Sequence, residues 1–398
     1  MTRRPGGVRD GGRPRWIGVA LAVAAIVGAC AGGPVLANAP AVRPSPSATP
    51  VPSPRPPDPI PIVFPRDDAP HDRLTEWWYY TGHLRDVATG DRYGFEYVIF
   101  RAERGDFPVS WASHLAVTDE AHDRFLFSQR TEIGPQGDLR PSAGGFDLAL
   151  VPDPGRPPDA SNPPWRMTGS GGTDRLVATT TTAEATASGS AGALGLDLRL
   201  TAQKAPALHD RDGWIDFGPG GGSYYYSRTR MAAAGTVTLD GRTLTVEGAA
   251  WFDHQWGDFI AVGGGGWDWF AVNLADGTDL TLSLVRDRTG ADSLVYGTVV
   301  AADGSTTHLP ADAFHVTVTG HWTSPRTGAV YPAGWHVEVP SQGLAIDLAP
   351  TVAGQELDTR PTTGVVYWEG SQVVHATRHG TPLSGEAYVE LTGYAPTP

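Results

Sequence analysis

Residues 236–246 read Thr-Val-Thr-Leu-Asp-Gly-Arg-Thr-Leu-Thr-Val, two β-rich runs joined by the pair Asp240-Gly241. An Asp-Gly pair supplies the positive φ angles of a two-residue type I′ turn, so this stretch predicts a β-hairpin. The pairs Asp276-Gly277 and Asp303-Gly304 stand between β-rich runs in the same way, and Gln342-Gly343 is a weaker version. Because the sequence has no long stretch of helical periodicity, we predict an all-β fold.

Apolar residues alternate with others within the predicted strands, as at Leu280, Leu282 and Leu284. Apolar residues at every second position indicate a strand with one face buried and the other exposed to solvent. We count about eight or nine strands from Trp267 to Tyr394 and a similar number from Glu76 to Trp256. These numbers predict two barrels, each of a size that encloses one small ligand.

The N-terminus has the pattern of an export signal. The first fifteen residues carry five arginines against one acid, and an uncharged run follows from Ile17 to Val27. As a helix this run reaches only roughly 16 Å of the roughly 30 Å hydrocarbon core, so residues 1–29 are predicted to be a signal peptide and not a membrane span. Arg3-Arg4 leaves twin-arginine export open beside the general secretory route.

The signal peptide ends in Val27-Gly28-Ala29-Cys30, which resembles a bacterial lipobox and contains the only cysteine of the chain. A chance cysteine beside an ordinary cleavage site is the alternative. Residues 30–65 are predicted to be a lipid-anchored tether, because eleven of the 26 residues from Pro40 to Pro65 are proline. The mature protein is therefore expected outside the cytoplasm, anchored to the membrane or, without the anchor, secreted.

The lipid anchor makes a prediction of its own. Cys30→Ser is expected to release the protein from membranes, because serine cannot take the lipid that holds it there. Fractionation of cells expressing the variant checks this, and a variant that still sediments with membranes would show that Cys30 is not the lipidation site.

The net charge excludes one class of partner. The formal charge is −13 at pH 7, whereas a nucleic-acid-binding protein needs a basic surface. After Cys30 the chain has no cysteine, so its stability must come from core burial and not from disulfides.

Three segments interleave aromatic and polar residues: residues 76–84 (Glu-Trp-Trp-Tyr-Tyr-Thr-Gly-His-Leu), residues 94–101 (Gly-Phe-Glu-Tyr-Val-Ile-Phe-Arg) with the later His114, and residues 251–257 (Trp-Phe-Asp-His-Gln-Trp-Gly). In a strand, alternation puts Glu76, Trp78 and Tyr80 on one face. It likewise puts Trp267 and Trp269 on one face and Asp268 on the other. Clustered tryptophans either fill a core or line a ligand site, and both interpretations stay open.

Five segments resemble, in order, the signatures of the AttH-like and carotenoid hydratase family: residues 76–84, 253–257, 266–270 (Gly-Trp-Asp-Trp-Phe), 367–370 (Tyr-Trp-Glu-Gly) and 388–394 (Tyr-Val-Glu-Leu-Thr-Gly-Tyr). The resemblance covers about residues 70 to 395. It implies two lipocalin-like antiparallel barrels packed side by side, with an aromatic-lined cavity at or between them. We place the barrels at residues 66–258 and 259–398.

The predicted ligand-binding residues come from these segments: Glu76, Trp78, Tyr80, His83, Glu96, Arg101, His114, Trp256, Trp267, Trp269, Trp368 and Glu369. Hydration of an alkene requires an acid that burial keeps protonated, with aromatic faces to shield the cation. Asp253 and His254 are the nearest match, as donor and relay. The alternative is that they form a buried hydrogen-bonded pair that fastens one barrel to the other.

The resemblance to the hydratases is incomplete. Their His-x-Trp pair is similar to His254 and Trp256, but their catalytic Tyr and Asp would fall near residues 278–286, where this chain has no Tyr-x-Asp pair. This difference argues against carotenoid hydration.

Neither metal nor cofactor chemistry is predicted. Four histidines lie far apart in the sequence: His71, His83, His114 and His254. Only His375 and His379 have a ligand-like spacing, and no third ligand stands beside them. No Gly-x-Ser-x-Gly elbow indicates a serine hydrolase, and the glycine run at 263–266 precedes a strand, unlike a phosphate-binding loop.

Three functions stay open from the sequence. The first is a lipoprotein that binds a hydrophobic or amphipathic small molecule, with an ABC-type exporter permease as the partner that the resemblance implies. The second is an enzyme of the hydratase or pericyclase type that acts on a polyene or isoprenoid by acid catalysis. The third is a scaffold with filled barrels and no ligand. An acid pointing into a cavity would favour the second function.

Overall fold

The computed structural model describes residues 57–134, 144–159, 161–259 and 265–395. The predicted signal peptide, the predicted lipidation site Cys30 and the predicted tether up to residue 56 lie outside these residues. The described part is nearly all β, which confirms the predicted fold class. No helix within those ranges is long and apolar enough to span a bilayer.

The N-terminal half forms one antiparallel sheet of twelve strands. Its strands are β1 (Thr75–Asp86), β2 (Arg92–Ala102), β3 (Ser110–Asp119), β4 (Arg124–Ile133), β5 (Phe146–Leu150), β6 (Trp165–Ser170), β7 (Thr173–Thr179), β8 (Gly195–Ala202), β9 (Ala207–Leu208), β10 (Trp214–Asp216), β11 (Gly222–Leu239) and β12 (Arg242–Gly257). The order is β4-β3-β2-β1-β12-β11-β8-β7-β6-β5, with β9 and β10 also paired to β11. Since β4 approaches β5, this sheet is a nearly closed barrel.

The C-terminal half forms a ten-stranded antiparallel sheet, curved into a half barrel, and one separate hairpin. Its strands are β13 (Gly266–Leu274), β14 (Asp279–Arg286), β15 (Asp292–Val300), β16 (Thr306–Pro310), β17 (His315–Val318), β18 (His321–Thr323), β19 (Val330–Pro332), β20 (Trp335–Val339), β21 (Leu344–Pro350), β22 (Glu356–Asp358), β23 (Val366–Arg378) and β24 (Thr381–Thr392). The order is β16-β15-β14-β13-β24-β23-β21-β20-β17, with β22 on β23 and β18 paired only to β19.

Each half has more strands than the eight or nine counted from the sequence. The additional strands are short, such as β9 and β22, and two or three residues are too few to show alternation. One α-helix, α1 (Thr182–Ala187), lies between β7 and β8. Short 3-10 helices lie at Arg66–Asp68, Glu120–His122, Gly218–Gly220 and Pro340–Gln342.

The Asp-Gly pairs differ in the turns they make. Asp240 (φ 51°) and Gly241 (φ 76°) join β11 to β12 as the predicted two-residue turn. At Asp276-Gly277 and Asp303-Gly304 the glycine also has positive φ, but the loops are longer. There the aspartate side chain accepts the backbone N–H two residues on, Thr278 in the first case at 3.0 Å, and this Asx turn adds residues to the connection.

Side chains fill the interior of both barrels. In β1 the alternate residues Trp78 and Tyr80 point into the N-terminal barrel, where they join its core cluster. Trp335 and Trp368 belong to the second core cluster, inside the C-terminal barrel. Trp77 and Tyr79 point instead from β1 toward the second sheet. Large side chains therefore occupy both interiors, and the cavity described below lies between the barrels.

A buried ionic cluster fixes the two sheets to each other. Asp279 on β14 has no exposed surface. Its carboxylate accepts hydrogen bonds from Arg230 Nη2 at 2.6 Å, Lys204 Nζ at 2.7 Å, Asn273 Nδ2 at 2.7 Å and the Thr229 hydroxyl at 2.8 Å. Lys204, Thr229 and Arg230 belong to the N-terminal half, so this Asp279 cluster joins the barrels.

The end of the predicted tether packs on the N-terminal barrel. The hydroxyl of Tyr224 accepts the backbone N–H of Ile60 at 2.7 Å, and the Phe64 ring lies 4.7 Å from that of Tyr226. Ile60, Ile62 and Phe64 give this stretch apolar surface to bury, whereas Val42 and Val51 are the only aliphatic side chains larger than alanine, apart from proline, in residues 40–59. The packed body therefore begins before residue 66.

Candidate functional site

A cavity of about 370 Å³ lies between the two barrels. Strands β1, β2, β3, β11 and β12 supply one wall, and β13, β14, β15, β23 and β24 supply the other. Its lining contains ten aromatic residues: Trp77, Tyr79, Phe100, Phe217, Tyr225, Phe259, Trp267, Trp269, Tyr296 and Tyr367. Its size is that of small-molecule sites, which are mostly apolar with a few convergent polar groups.

Strand alternation separates the two residues predicted to be catalytic. Asp253 on β12 lines the cavity, whereas His254 points into the N-terminal barrel and contacts Glu76 and Trp78. Neighbouring residues of an extended strand point to opposite faces. Asp253 and His254 therefore cannot act together as donor and relay, nor do they form a hydrogen-bonded pair between the barrels.

Three carboxyl groups stand at the cavity wall: Glu96, Asp253 and Glu390. Burial raises the pKa of Asp253 to about 7 and that of Glu390 to about 7, although hydrogen bonds to both partly oppose it. Burial also holds the pKa of Glu96 well above its usual range. Acids with such pKa values keep protons near neutral pH and can donate them.

A fourth buried carboxyl lies behind the wall. The hydroxyl of Tyr79 donates to Glu369 Oε1 at 2.7 Å. Burial and the nearby carboxyls of Glu96 and Glu390 raise the pKa of Glu369 well above its usual value. The acids are thus grouped, and each makes ionisation of the next less favourable.

Glu96 has an unused oxygen at the cavity wall. Its Oε1 accepts a hydrogen bond from the Tyr367 hydroxyl at 2.7 Å. Its Oε2 is buried and has no hydrogen-bond partner in the described part of the chain. One oxygen of this buried carboxyl is therefore held in place, and the other is unpaired at the cavity wall. Such a carboxyl, when protonated, can donate its proton to a bound molecule.

A chain of hydrogen-bonding groups leads away from Glu96. The Tyr367 hydroxyl also lies 2.7 Å from His114 Nδ1, and His114 Nε2 lies 3.0 Å from the Thr362 hydroxyl. Thr362 donates to Gln129 Oε1 at 2.7 Å. Burial lowers the pKa of His114 to about 3, so its ring is neutral and can accept a proton at one nitrogen while donating at the other. This chain fixes the position of the Tyr367 hydroxyl and, through it, that of the Glu96 carboxyl.

Asp253, in contrast, has both oxygens occupied. Its Oδ2 accepts the Tyr225 hydroxyl at 2.5 Å, and its Oδ1 accepts the Trp251 indole N–H at 2.6 Å and the Ser227 hydroxyl. The indole of Trp269 donates in turn to the Tyr225 oxygen at 3.0 Å. Asp253 therefore holds the side chains of Tyr225 and Trp251 in place by direct hydrogen bonds, and that of Trp269 through the Tyr225 hydroxyl.

A second polar group lies inside the N-terminal barrel, on the opposite face of β1. Glu76 Oε1 lies 2.7 Å from His71 Nδ1 and 2.9 Å from His254 Nε2. One ligand atom from each of these three residues falls within 4.8 Å of the others, close enough to hold a metal ion. These histidines are scattered in the sequence, and folding brings the two of them together.

The remaining predicted site residues fall into separate places. Those that line the cavity are Glu96, His114, Trp267 and Trp269. Those inside the N-terminal barrel are Glu76, Trp78, Tyr80, Arg101 and Trp256. Trp368 lies in the C-terminal core, Glu369 lies behind Tyr79, and His83 contacts the Ala387 carbonyl at 3.1 Å elsewhere between the barrels.

Sequence reasoning missed several cavity residues. Strand alternation gives β1 two faces but does not say which of them meets the cavity, so it does not identify Trp77 and Tyr79 as lining residues. Tyr367 and Glu390 both lie within segments already recognised as signatures. Glu390 stands between the apolar residues Val389 and Leu391, and this placement was an available signal for it.

Comparison with known proteins supports this architecture. The model of a family described as AttH-like matches residues 55–394. A crystal structure of an AttH candidate from Nitrosomonas europaea is 28% identical, with a TM-score of 0.70 over 84% of this chain and 98% of that chain. Kievitone hydratase from Nectria haematococca is 16% identical, with a TM-score of 0.62 over 84% of this chain and 93% of that chain, a likeness of fold alone. A search of curated proteins finds no match.

Proposed function

Because the chain belongs to the AttH-like family, whose paired barrels here enclose an aromatic cavity, we propose that it binds a hydrophobic small molecule there and protonates it. The proposal rests on Glu96, a carboxyl 1% exposed with one unpaired oxygen at the cavity wall. Family membership alone does not specify a reaction. The fold that this chain shares with kievitone hydratase is compatible with the proposal but is not evidence for it.

The proposed step is proton transfer to a carbon–carbon double bond. The π electrons form a new C–H bond with the carboxyl proton, which leaves a carboxylate on Glu96 and a carbocation on the substrate. The cation lies among the faces of Trp77, Trp267 and Trp269, each worth about 0.5–2 kcal/mol to a nearby cation. Water then adds and releases a proton, which gives an alcohol, or a neighbouring C–H loses its proton, which gives an isomer. Glu96 regains its proton in this step, because its carboxylate is the base that takes the proton released by the water or by the C–H group.

Binding without chemistry is the second candidate. The aromatic lining and the hydrogen-bonded Asp253 would suit a carrier that holds an apolar molecule and delivers it at the membrane surface. In this proposal Cys30 carries the lipid anchor, and an ABC-type exporter is the partner. The two candidates differ in one measurable respect, which is whether bound alkenes acquire protons from the solvent.

Both candidates require that the cavity takes a ligand. Trp267→Ala is expected to weaken binding of an apolar fluorescent probe by roughly tenfold, because the substitution removes one large apolar wall. Fluorescence titration with anilinonaphthalene sulfonate measures the affinity, and native mass spectrometry of the purified protein detects any molecule that co-purifies.

The matched control for the binding measurement is Trp322→Ala. Trp322 is also a half-buried tryptophan, but it lies on β18 against Tyr331 and away from the cavity lining. Its variant should bind the probe as the unaltered chain does. Equal affinity in Trp267→Ala and the unaltered chain would show that the probe binds elsewhere and would remove support from both candidates.

A further inference from the structure

The polar group inside the N-terminal barrel is formed by three chain segments. Glu76 on β1 and His254 on β12 point inward and are fully buried. His71 approaches from the segment before β1, and its side chain is 20% exposed. The pairing of β1 with β12 sets Trp78 opposite His254. The group therefore lies at a rim of the barrel, with one residue reachable from solvent.

The donor atoms have the spacing of metal ligands. Ligands at roughly 2.1 Å from an ion and at right angles stand about 3.0 Å apart. The separations from Glu76 Oε1 to His71 Nδ1 and to His254 Nε2 are 2.7 and 2.9 Å. One ligand atom from each of the three residues lies within 4.8 Å of the others, so two imidazoles and one carboxylate can converge on one divalent transition-metal ion.

The outer nitrogens of both histidines also face suitable partners. His71 Nε2 lies 3.6 Å from Asp67 Oδ1. His254 Nδ1 lies 3.4 Å from the Tyr226 hydroxyl, which itself donates to Asp68 at 2.6 Å. Metal-bound histidines nearly always give their other ring N–H to an acceptor, which fixes the tautomer and orients the ring. His254 has that arrangement, and the carboxylate of Asp67 stands just beyond hydrogen-bond distance of His71 Nε2.

Aromatic side chains hold the imidazoles in place. The ring of His71 stacks on Trp256 at 4.1 Å with an interplanar angle of 1°. The ring of His254 lies 4.7 Å from Trp78 and 4.6 Å from Trp256. Ligands whose rings are already fixed lose little freedom when an ion binds.

We propose that His71, Glu76 and His254 form a binding site for a divalent transition-metal ion such as Zn²⁺, inside the N-terminal barrel and separate from the cavity. Without the ion the same residues form a hydrogen-bonded triad. The ion ties the segment around residue 71 to β1 and β12, so its role is to stabilise the barrel rim. This differs from the sequence-based expectation of no metal, because His71 and His254 come together only in the fold.

The test is metal titration of the full chain, purified without a polyhistidine tag and dialysed against a chelator. Calorimetry with Zn²⁺ alone is expected to show about one ion per chain with micromolar or tighter affinity. A hundredfold excess over the Kd should raise the Tm by roughly 4 °C. Saturable binding that Co²⁺ reproduces, with its visible absorption, supports a coordination site.

Two variants assign the binding to these residues. His71→Ala, at the solvent-facing rim, is expected to weaken Zn²⁺ binding at least tenfold while the far-UV spectrum is unchanged, and Glu76→Gln should do the same. His336→Ala is the control, because His336 is a half-exposed imidazole 2.7 Å from the carboxylate of Asp347. Absence of saturable binding, or equal affinity in His71→Ala and His336→Ala, overturns the proposal.

Discussion

Glu96→Gln is expected to lower the rate of proton transfer to a bound alkene by about 10²–10⁴-fold, the usual contribution of a positioned acid. Glutamine has nearly the same shape as glutamic acid and fits the same space, but its amide is not an acid. The unpaired Oε2 of Glu96 is the atom that the substitution alters. Affinity for an apolar ligand should change only a few-fold, since the aromatic walls stay in place.

Deuterium uptake measures this effect even when the natural substrate is unidentified. A panel of isoprenoid alkenes is incubated with the protein in D₂O, and mass spectrometry counts deuterium incorporated or water added. Glu338→Gln is the matched control, because Glu338 is an exposed glutamate on β20. Uptake by Glu96→Gln at the control rate would exclude Glu96 as the donor, and no uptake by the unaltered chain would favour the carrier.

The pH dependence of this reaction has a definite sign. Burial holds the pKa of Glu96 above its usual value, so the protonated, active form persists at neutral pH and activity falls as pH rises through the shifted pKa. The same shift affects stability. Between the unfolded and folded pKa values the folded state binds the proton and the unfolded state does not, so stability decreases with rising pH. Glu96→Gln should therefore be at least as stable as the unaltered chain at pH 8.

Asp279→Ala is expected to lower the free energy of unfolding by about 3–5 kcal/mol, as when one partner of a buried ion pair is removed. The substitution leaves Lys204, whose side chain is 5% exposed, and Arg230 without their shared carboxylate at the junction of the barrels. The amide of Asn273 and the hydroxyl of Thr229 lose the same acceptor.

Urea denaturation followed by tryptophan fluorescence measures the loss. Asp347→Ala is the control, because Asp347 pairs with His336 at 2.7 Å but its side chain is 67% exposed. Exposed pairs of this kind contribute about 0–1 kcal/mol. If Asp279→Ala lost no more stability than Asp347→Ala, the Asp279 cluster would not be what holds the barrels together.

Local chemistry explains what the sequence could predict. The turn at Asp240-Gly241 follows from the φ angles that those two residues tolerate. It can therefore be predicted without knowing how the flanking strands pair. The alternation in β1 likewise separates Glu76, Trp78 and Tyr80 from Trp77 and Tyr79 without any structure. These are properties of neighbouring residues.

The site could not be predicted because it depends on contacts between distant segments. Strand alternation does not say which face of β1 packs into the core of the N-terminal barrel and which face lines the cavity. Tyr367 reaches Glu96 across the barrel junction, at a separation of 271 residues. His71 and His254 are distant in the sequence for the same reason, and no spacing rule joins them. Asp253 and His254 are neighbours in sequence, yet only Asp253 faces the cavity, because β12 is extended there.

Because the cavity lies between the barrels, the residues that stabilise the fold differ from the residues that contact a ligand. Residues that fill a barrel interior, such as Trp78 and Trp368, set the stability of the fold, whereas Trp77, Trp267 and Tyr296 on the outer faces shape the cavity. A substitution at an outer position changes the ligand wall without opening a hole in either core. The scaffold can therefore acquire new ligand preferences at a small cost in stability, which is the property expected of a fold that diversifies readily.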